Sequence, residues 1–223
     1  MSKNNLPYVD VNPSAAPRST VIWLHGLGDS GNGFVPIVPE LRLPERLAIR
    51  FVFPYAPWRS VTINNGMSMR AWYDITSLDF DDRADGKGVY ESAELVEQLI
   101  DDEIASGVPA ERIVLAGFSQ GGVIALHLGA RTNKKLAGVM SLSAYMFEAE
   151  NLRTQAHAAN CQTPFLIAHG KQDEVVPLFL GKSSFKELEQ NGYPVQWREY
   201  EMQHSLCAEQ INDISLWLQQ RLA

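Results

Sequence analysis

The sequence predicts an α/β fold, a single domain built on a mostly parallel sheet with helices on both faces. Two observations support this prediction. Short apolar runs typical of buried strands alternate with longer segments whose apolar residues recur at helical spacing. The length of 223 residues, 45% of them hydrophobic, suits one sizeable core. We therefore expect one domain over residues 1–223, in which residues 1–20 form an N-terminal extension or an edge strand.

The predicted strands are short and rich in apolar and β-branched residues. They are Val21–Leu24, Ile49–Phe53, Ile113–Ala116, Leu136–Leu142, Pro164–Ala168 and Val195–Tyr200. Every residue of Ile113–Ala116 and Phe165–Ala168 is apolar, which indicates central strands that are buried on both faces.

Four segments between or after these strands carry apolar residues at helical spacing. They are Glu91–Ser106, Gly121–Ala130, Phe179–Gln190 and Leu206–Leu222. Two connections interrupt the alternation of strands and helices. Tyr55–Arg83 is long and aromatic, so we expect an ordered excursion near a functional site. Tyr145–Gln162 is short, so we expect no large cap domain.

Composition and charge exclude several classes of protein. The sequence contains no run of about 18 apolar residues that could span a bilayer, and its first 20 residues carry no secretory signal. A formal net charge of −7 disfavours binding to nucleic acid or to an anionic membrane. Cys161 and Cys207 are too few for a disulfide framework and suit a reducing compartment. We expect a cytoplasmic protein without stable membrane insertion, nucleic-acid partner, metal or cofactor.

One motif carries recognisable chemistry, the G-x-S-x-G pentapeptide at residues 117–121, which lies between a predicted strand and a predicted helix. On such a turn a strained backbone exposes the serine hydroxyl, and the glycines let the turn close. The pentapeptide alone is a weak signal, and its context strengthens it. The alternative is a plain glycine-rich turn that packs the helix against its strand. We predict that Ser119 is a nucleophile.

A hydroxyl nucleophile needs a base, and the base needs an orienting acid. For a serine on this kind of turn, the acid follows the serine in the chain and the histidine follows the acid. Asp173 is the only aspartate between Ser119 and His204, and His204 is the only histidine after Asp173. If an aspartate is the acid, only these three residues satisfy the order. The alternatives are a surface-loop aspartate and a helix-capping histidine.

The reaction of such a nucleophile also needs hydrogen-bond donors for an oxyanion. One predicted donor is the backbone N–H of Gln120, directly after the nucleophile. A second should come from the glycine-dense loop in Leu24–Gly31, which follows an early predicted strand. This loop could alternatively cradle a phosphate, but it lacks the full G-x-G-x-x-G spacing and a P-loop Lys-Ser/Thr pair.

Several short motifs occur in a fixed order from about Val21 to the end of the chain. Among them are His25–Asp29, Trp72–Asp74, Gly117–Gly122, His169–Asp173 and His204–Ser205. Together they resemble the acyl-protein thioesterase and bacterial carboxylesterase family, the small serine hydrolases of phospholipase/carboxylesterase type. An ordered set of this kind is far more specific than the pentapeptide alone.

The resemblance implies an α/β-hydrolase fold and a catalytic triad of Ser119, His204 and Asp173, with oxyanion donors at Leu27 and Gln120. It also implies hydrolysis of carboxylic esters, often of thioesters and lysophospholipids, and commonly a homodimer. The substrate would be a small-molecule ester or thioester, an acylated protein or a lysophospholipid.

The leading interpretation is a serine carboxylesterase that cleaves short- to medium-chain esters through an acyl-enzyme. Acyl-protein thioesterase or lysophospholipase activity with the same triad is one alternative, and a non-catalytic ligand-binding protein of the same fold is another. Apolar side chains of the excursion are candidates for an acyl channel, although ordinary core packing explains them equally well. The candidate substrate-binding residues are Met67, Met69, Trp72, Leu78 and, beyond the excursion, Val176, and Ile63 belongs to the same apolar stretch.

Overall fold

The computed structural model describes residues 6–77 and 83–223 and has an α/β architecture. Its strands are β1 (Tyr8–Val11), β2 (Ser19–Leu24), β3 (Ile49–Pro54), β4 (Trp58–Val61), β5 (Met67–Arg70), β6 (Ile113–Phe118), β7 (Gly138–Leu142), β8 (Phe165–Gly170) and β9 (Val195–Tyr200). In the described residues, seven of them form one sheet in the order β1-β3-β2-β6-β7-β8-β9. Only β1 is antiparallel to its neighbour in this sheet.

Helices cover both faces of this sheet. They are α1 (Gly31–Phe34), α2 (Ile37–Glu40), α3 (Gly86–Ala105), α4 (Gln120–Arg131), α5 (Leu152–Gln155), α6 (Leu178–Gln190) and α7 (Ala208–Leu222). Helices α3, α4 and α6 contribute to the core on one face, and α2 and α7 contribute to the core on the other. In the part of the chain that the structure describes, none of these helices has the length and apolar content needed to cross a bilayer.

Strand β2 shows how the sequence builds two cores at once, because successive side chains of a strand point to opposite faces. Ile22 and Leu24 lie in the core beneath α3 and α4, whereas Val21 and Trp23 lie in the core beneath α7. All four side chains are fully buried. A strand buried on both faces is a continuous apolar run, which is why such runs identified the central strands from sequence.

The predicted fold class, a mostly parallel sheet with helices on both faces, is confirmed. All six predicted strands and four predicted helices occur, with shifts of several residues at some ends. Strand β1 lies at one edge of the sheet. The largest shift is at α3, which begins at Gly86 rather than Glu91. It begins earlier because the Asp85 side chain accepts a hydrogen bond from the Gly88 N–H (3.1 Å) and caps the helix.

The predicted excursion contains an element that was not predicted, the antiparallel hairpin of β4 and β5. Asn65 and Gly66 turn the chain between the two strands, both with positive φ (55° and 72°). The hairpin contacts the loop after β2, since the Gly28 N–H donates to the Arg70 carbonyl (2.9 Å). The connection from β7 to β8 consists of α5 and two single 3₁₀ turns, Ala149–Asn151 and Ala158–Asn160, rather than a cap domain.

Helix α4 carries a buried histidine that should make stability depend on pH. His127 is 2% exposed, and its ring meets the Tyr90 ring edge-on at 4.9 Å. Burial, aided by the charge of Arg131, lowers the pKa of His127 from 6.5 to about 4. Below pH 6.5 His127 binds a proton in the unfolded chain but stays neutral in the folded chain. The free energy of unfolding therefore falls as pH decreases towards 4. The pKa difference of about 2.5 corresponds to about 3 kcal/mol.

We therefore expect His127→Phe to flatten the pH dependence of the free energy of unfolding between pH 7 and pH 4, since Phe keeps the aromatic contact without the proton. Urea unfolding at four pH values measures this slope. His157→Phe is the control, because it makes the same substitution at an exposed histidine. If the free energy of unfolding had the same pH dependence in wild type and His127→Phe, burial of neutral His127 would not be its cause.

Candidate active site

The turn from β6 into α4 holds Ser119 in an unusual backbone conformation, with φ 54° and ψ −122°. Positive φ is rare for residues other than glycine and is typical of functional turns. Two glycines allow the turn. A Cβ at Gly117 would lie 2.1 Å from the Gly121 carbonyl oxygen, and a Cβ at Gly121 would lie 2.3 Å from the Leu24 oxygen. Only glycines let the start of α4 come this close to β6 and β2.

Backbone hydrogen bonds fix Ser119 at the carboxyl end of the sheet. Its N–H donates to the Leu142 carbonyl at the end of β7 (2.9 Å), and its carbonyl accepts from the Val123 N–H in α4 (3.1 Å). The serine thus sits above the ends of the central parallel strands, where open α/β sheets bind their ligands.

His204 joins Ser119 to Asp173. Its Nε2 lies 2.9 Å from the Ser119 Oγ, and its Nδ1 lies 2.7 Å from the Asp173 Oδ2. The Phe118 ring packs against the imidazole at 4.7 Å. Asp173 comes from the loop after β8, and His204 from the loop after β9. The structure thus brings the three residues selected by chain order into one hydrogen-bonded series.

The Asp173 carboxylate is buried and fully engaged. Its Oδ1 accepts from the N–H groups of Val175 (3.0 Å) and Val176 (2.8 Å), while Oδ2 accepts from His204. Burial alone would raise the pKa of Asp173, but the hydrogen bonds from His204 and Val176 outweigh it, and the net shift is downward. The group is therefore a carboxylate at neutral pH, able to hold an imidazole N–H.

The two backbone N–H groups predicted as oxyanion donors lie next to the serine. Gln120 is the first residue of α4, a position whose N–H has no partner within the helix. Leu27 is in the loop after β2, where a Cβ at the adjoining Gly26 would lie 3.4 Å from the Ser119 Cβ. Among the described residues, neither N–H has an acceptor within hydrogen-bond distance.

Side chains hold this loop and the excursion in place. The Gln120 amide accepts from the Trp72 N–H (3.1 Å) and donates to the Tyr73 carbonyl (2.9 Å). His25 Nδ1 donates to the Gly26 carbonyl (2.7 Å), and its Nε2 accepts from the Ala56 N–H (3.1 Å). Burial lowers the pKa of His25, so the ring is neutral and has a structural role.

A small cleft of about 110 Å³ opens beside Ser119. It is lined by Leu27, Ile63, Tyr73, Ile75, Arg83, Ser119, Gln120, Tyr145, Val175 and Val176. The volume is below the range of about 300–1,000 Å³ that is common for small-molecule sites. Apolar side chains form most of the wall, while Tyr73, Tyr145 and Arg83 add polar groups. Burial raises the pKa of Tyr73 well above 10, so its hydroxyl keeps its proton.

The candidate substrate-binding residues are only partly brought to this cleft. Val176 lines it, as does Ile63, but Met67, Met69 and Trp72 do not. Trp72 is fully buried in the core, with its indole N–H donating to the His25 carbonyl (2.8 Å), and Met67 is 64% exposed on the hairpin. Leu78 lies outside the described residues. Trp72 and Met67 thus lie away from the cleft, and an irregular segment has no periodicity that would reveal which of its side chains point inwards.

The sequence interpretation missed five residues of the wall: Tyr73, Ile75, Arg83, Tyr145 and Val175. Tyr73 belongs to the motif Trp72–Asp74, so the sequence carries a signal for it. Tyr145 lies three residues after the carboxyl end of β7, and the loops at that edge of a parallel sheet are candidate positions for a site. Arg70 and Asp74, two charged residues of the excursion, have separate partners. Arg70 donates to the Ala56 carbonyl, and Asp74 accepts from Thr62.

Comparisons with known proteins agree with this geometry. The family model for phospholipase/carboxylesterase matches residues 7–222. The chain belongs to this family. Acyl-protein thioesterase 1 of Yarrowia lipolytica is 41% identical over 221 residues, which cover 97% of each chain. Acyl-protein thioesterase 1 of Neurospora crassa is 39% identical, over 93% of this chain and 89% of the relative.

Solved structures show the same fold. Arabidopsis thaliana SOBER1 superposes with a TM-score of 0.86 at 32% identity, over 92% of this chain and 100% of that one. Zea mays acyl-protein thioesterase 2 gives a TM-score of 0.84 at 28% identity, over 97% and 99%. The predicted family and the α/β-hydrolase fold are confirmed, and the protein is an enzyme of the esterase and thioesterase class. Within residues 6–77 and 83–223, no cluster of three or more His, Cys, Asp or Glu could hold a metal ion.

The close approach of α4 to β6 yields a direct test. We expect Gly117→Ala to lower activity sharply and to destabilise the protein by about 1–3 kcal/mol or more, because the new Cβ collides with backbone at 2.1 Å. Ester hydrolysis and thermal unfolding measure the two effects. Gly107→Ala is the control, since its Cβ would meet nothing within 4 Å and its positive φ of 104° costs only backbone strain. Normal activity in Gly117→Ala would refute the steric argument.

Proposed function

We propose that this protein is a serine carboxylesterase that hydrolyses short- to medium-chain esters through an acyl-enzyme on Ser119. One observation carries the proposal, the hydrogen-bonded series from Ser119 Oγ through His204 to Asp173, which ends at a cleft. A serine hydroxyl with an imidazole at 2.9 Å and a carboxylate behind it is arranged for nucleophilic catalysis.

In the proposed acylation step, His204 Nε2 removes the proton from Ser119 Oγ as the oxygen attacks the carbonyl carbon of the ester. The carbonyl oxygen becomes an oxyanion, which accepts hydrogen bonds from the backbone N–H groups of Leu27 and Gln120. The protonated His204 then gives its proton to the departing alkoxide, and the acyl group stays on Ser119. Asp173 keeps the Nδ1–H of His204 directed away from the serine and stabilises the imidazolium.

Deacylation reverses these roles with water as the nucleophile. His204 takes a proton from water, and the resulting hydroxide attacks the acyl-serine carbonyl. Collapse of the second tetrahedral intermediate returns the proton to Ser119 Oγ and releases the carboxylic acid. The net reaction consumes one water and requires no cofactor.

A second candidate is acyl-protein thioesterase activity with the same residues. It is favoured by relatives at 35–41% identity that bear the name acyl-protein thioesterase 1. A thiolate leaving group fits the same mechanism, so a protein or small-molecule thioester is a candidate substrate. Lysophospholipid hydrolysis is a variant of the ester reaction. A non-catalytic binding role would not require Ser119 to be hydrogen-bonded to His204.

The family resemblance also suggests a homodimer, and two free cysteines are compatible with a reducing cytoplasm. Light scattering after size-exclusion chromatography would report the oligomeric state, and fractionation of cells that produce the tagged protein would report its location.

We expect Ser119→Ala to lower kcat for p-nitrophenyl butyrate by about 10³-fold or more and to abolish labelling by a fluorophosphonate. Wild type should be labelled at one site, identified by peptide mass spectrometry. Ser143→Ala is the control for a buried serine near the turn. Measuring wild type and Ser119→Ala with a thioester substrate as well as the ester distinguishes carboxylesterase from thioesterase activity. Wild type that neither turns over esters or thioesters nor reacts with the probe would favour the binding-protein alternative.

The size of the cleft predicts selectivity for the acyl chain. We expect Ile63→Ala to raise the ratio of kcat/KM for octanoate over acetate esters about tenfold or more, because removing three carbons from the wall makes room for a longer chain. Ile211→Ala is the control, since Ile211 is similarly half-buried but packs on the opposite face of the sheet. An unchanged ratio in Ile63→Ala would mean that the acyl chain binds elsewhere.

A further inference from the structure

His169, at the carboxyl end of β8, is fully buried next to the proposed catalytic series and takes no part in the mechanism above. Its Nε2 lies 2.7 Å from the Val176 carbonyl oxygen and 3.5 Å from the Asp173 Oδ2. That carboxylate oxygen is the one bound by His204. Two imidazoles therefore flank a single oxygen of Asp173.

The surroundings of His169 fix its tautomer. A carbonyl oxygen only accepts hydrogen bonds, so Nε2 carries the proton and donates it to Val176. Nδ1 faces α6, where a Cβ on Gly181 would lie only 2.4 Å away, and it has no partner among the described residues. The Trp197 ring lies nearly parallel to the imidazole at 6.3 Å. Burial lowers the pKa of His169, so the ring is a neutral Nε2–H donor held between β9 and α6.

This donor holds the loop that carries the acid. The Val176 carbonyl is bound by His169, and the Val176 N–H is bound by Asp173 Oδ1 at 2.8 Å. The Val176 peptide units are thus fixed from both sides, between a rigid strand residue and the carboxylate. Val176 also lines the cleft, so the hydrogen bond from His169 fixes the position of this part of the cleft wall.

We propose that His169 is a positioning residue, which orients Asp173 towards His204 and sets the Val176 wall through its neutral Nε2–H. The inference rests on the proposed function. Unlike His204, His169 never exchanges a proton during turnover. Because His169 acts through Asp173, removing the Nε2–H donor should lower the rate only when residue 173 is a carboxylate that must be oriented towards His204.

The test compares two amides at position 169. Gln places its amide nitrogen near the position of imidazole Nε2, whereas Asn is one methylene too short to reach Val176. We expect His169→Asn to lower kcat by about 10²-fold, the scale of a misplacement of about 1 Å at a reacting group. We expect His169→Gln to restore most of the rate. His157→Asn is the control for the same substitution at an exposed histidine and should behave as wild type.

A double-mutant cycle with Asp173→Asn separates positioning from general destabilisation. Asp173→Asn alone should lower kcat by about 10⁴-fold. If His169 acts through Asp173, adding His169→Asn should cause little further loss, because coupled residues are not additive. The far-downfield proton resonance of His204 Nδ1–H, measured by NMR, should persist in His169→Gln and broaden or vanish in His169→Asn.

Gly181→Ala provides a second route if His169→Asn does not fold, since the new Cβ displaces the ring without removing its donor. It should lower kcat and also be non-additive with Asp173→Asn. An unchanged rate in the folded variants, or an equal further loss in the Asp173→Asn background, would overturn the proposal. Failure of Ser119→Ala and Asp173→Asn to reduce the rate would instead refute the proposed function itself.

Discussion

The contact between α4 and the sheet at Gly117 and Gly121 is the constraint on which the rest of the site depends. With any side chain at either position, the helix could not begin where it does, and Ser119 would lose its hydrogen bond to Leu142. The positive φ of Ser119 stores about 1–3 kcal/mol of strain. Burial of every residue of Gln120–Ala130 in α4 opposes this strain. The core thus holds the serine in a conformation that the isolated turn would abandon.

Three histidines near this turn have different roles because their surroundings differ. His25 and His169 are fully buried, bind backbone carbonyls and are kept neutral by burial, so each acts as a fixed hydrogen-bond donor. The His204 side chain is 16% exposed, contacts the Ser119 hydroxyl and faces a carboxylate. Only a ring with access to substrate and a counter-charge is suited to carry a proton between oxygen atoms. The two buried rings serve to hold the loops on either side of it.

The sequence anticipated that Ser119, His204 and Asp173 would meet, but it did not reveal which side chains line the cleft. Ser119, Asp173 and His204 lie at the carboxyl ends of predicted strands, and parallel strands bring those ends to one edge, so their meeting could be anticipated. Trp72 sits in an irregular segment whose side chains follow no period, and its burial depends on a bond to His25 that no local pattern reveals. The hairpin of β4 and β5 was predictable in principle, since Asn65-Gly66 is a strong hairpin signal.

The proposed mechanism and the shape of the cleft together imply that selectivity lies on the acyl side. The cleft of about 110 Å³ is bounded by side chains, including the polar groups of Tyr73, Tyr145 and Arg83, whereas the short connection after β7 provides no cap domain over it. An alkoxide needs the proton of His204 in order to leave, but a thiolate, whose acid has a pKa of about 8.5, needs it less. A site that can protonate a departing alkoxide can therefore also release a thiolate. Under the proposed function, we expect discrimination between substrates to depend on how well the acyl chain fits the wall formed by Ile63 and Val176.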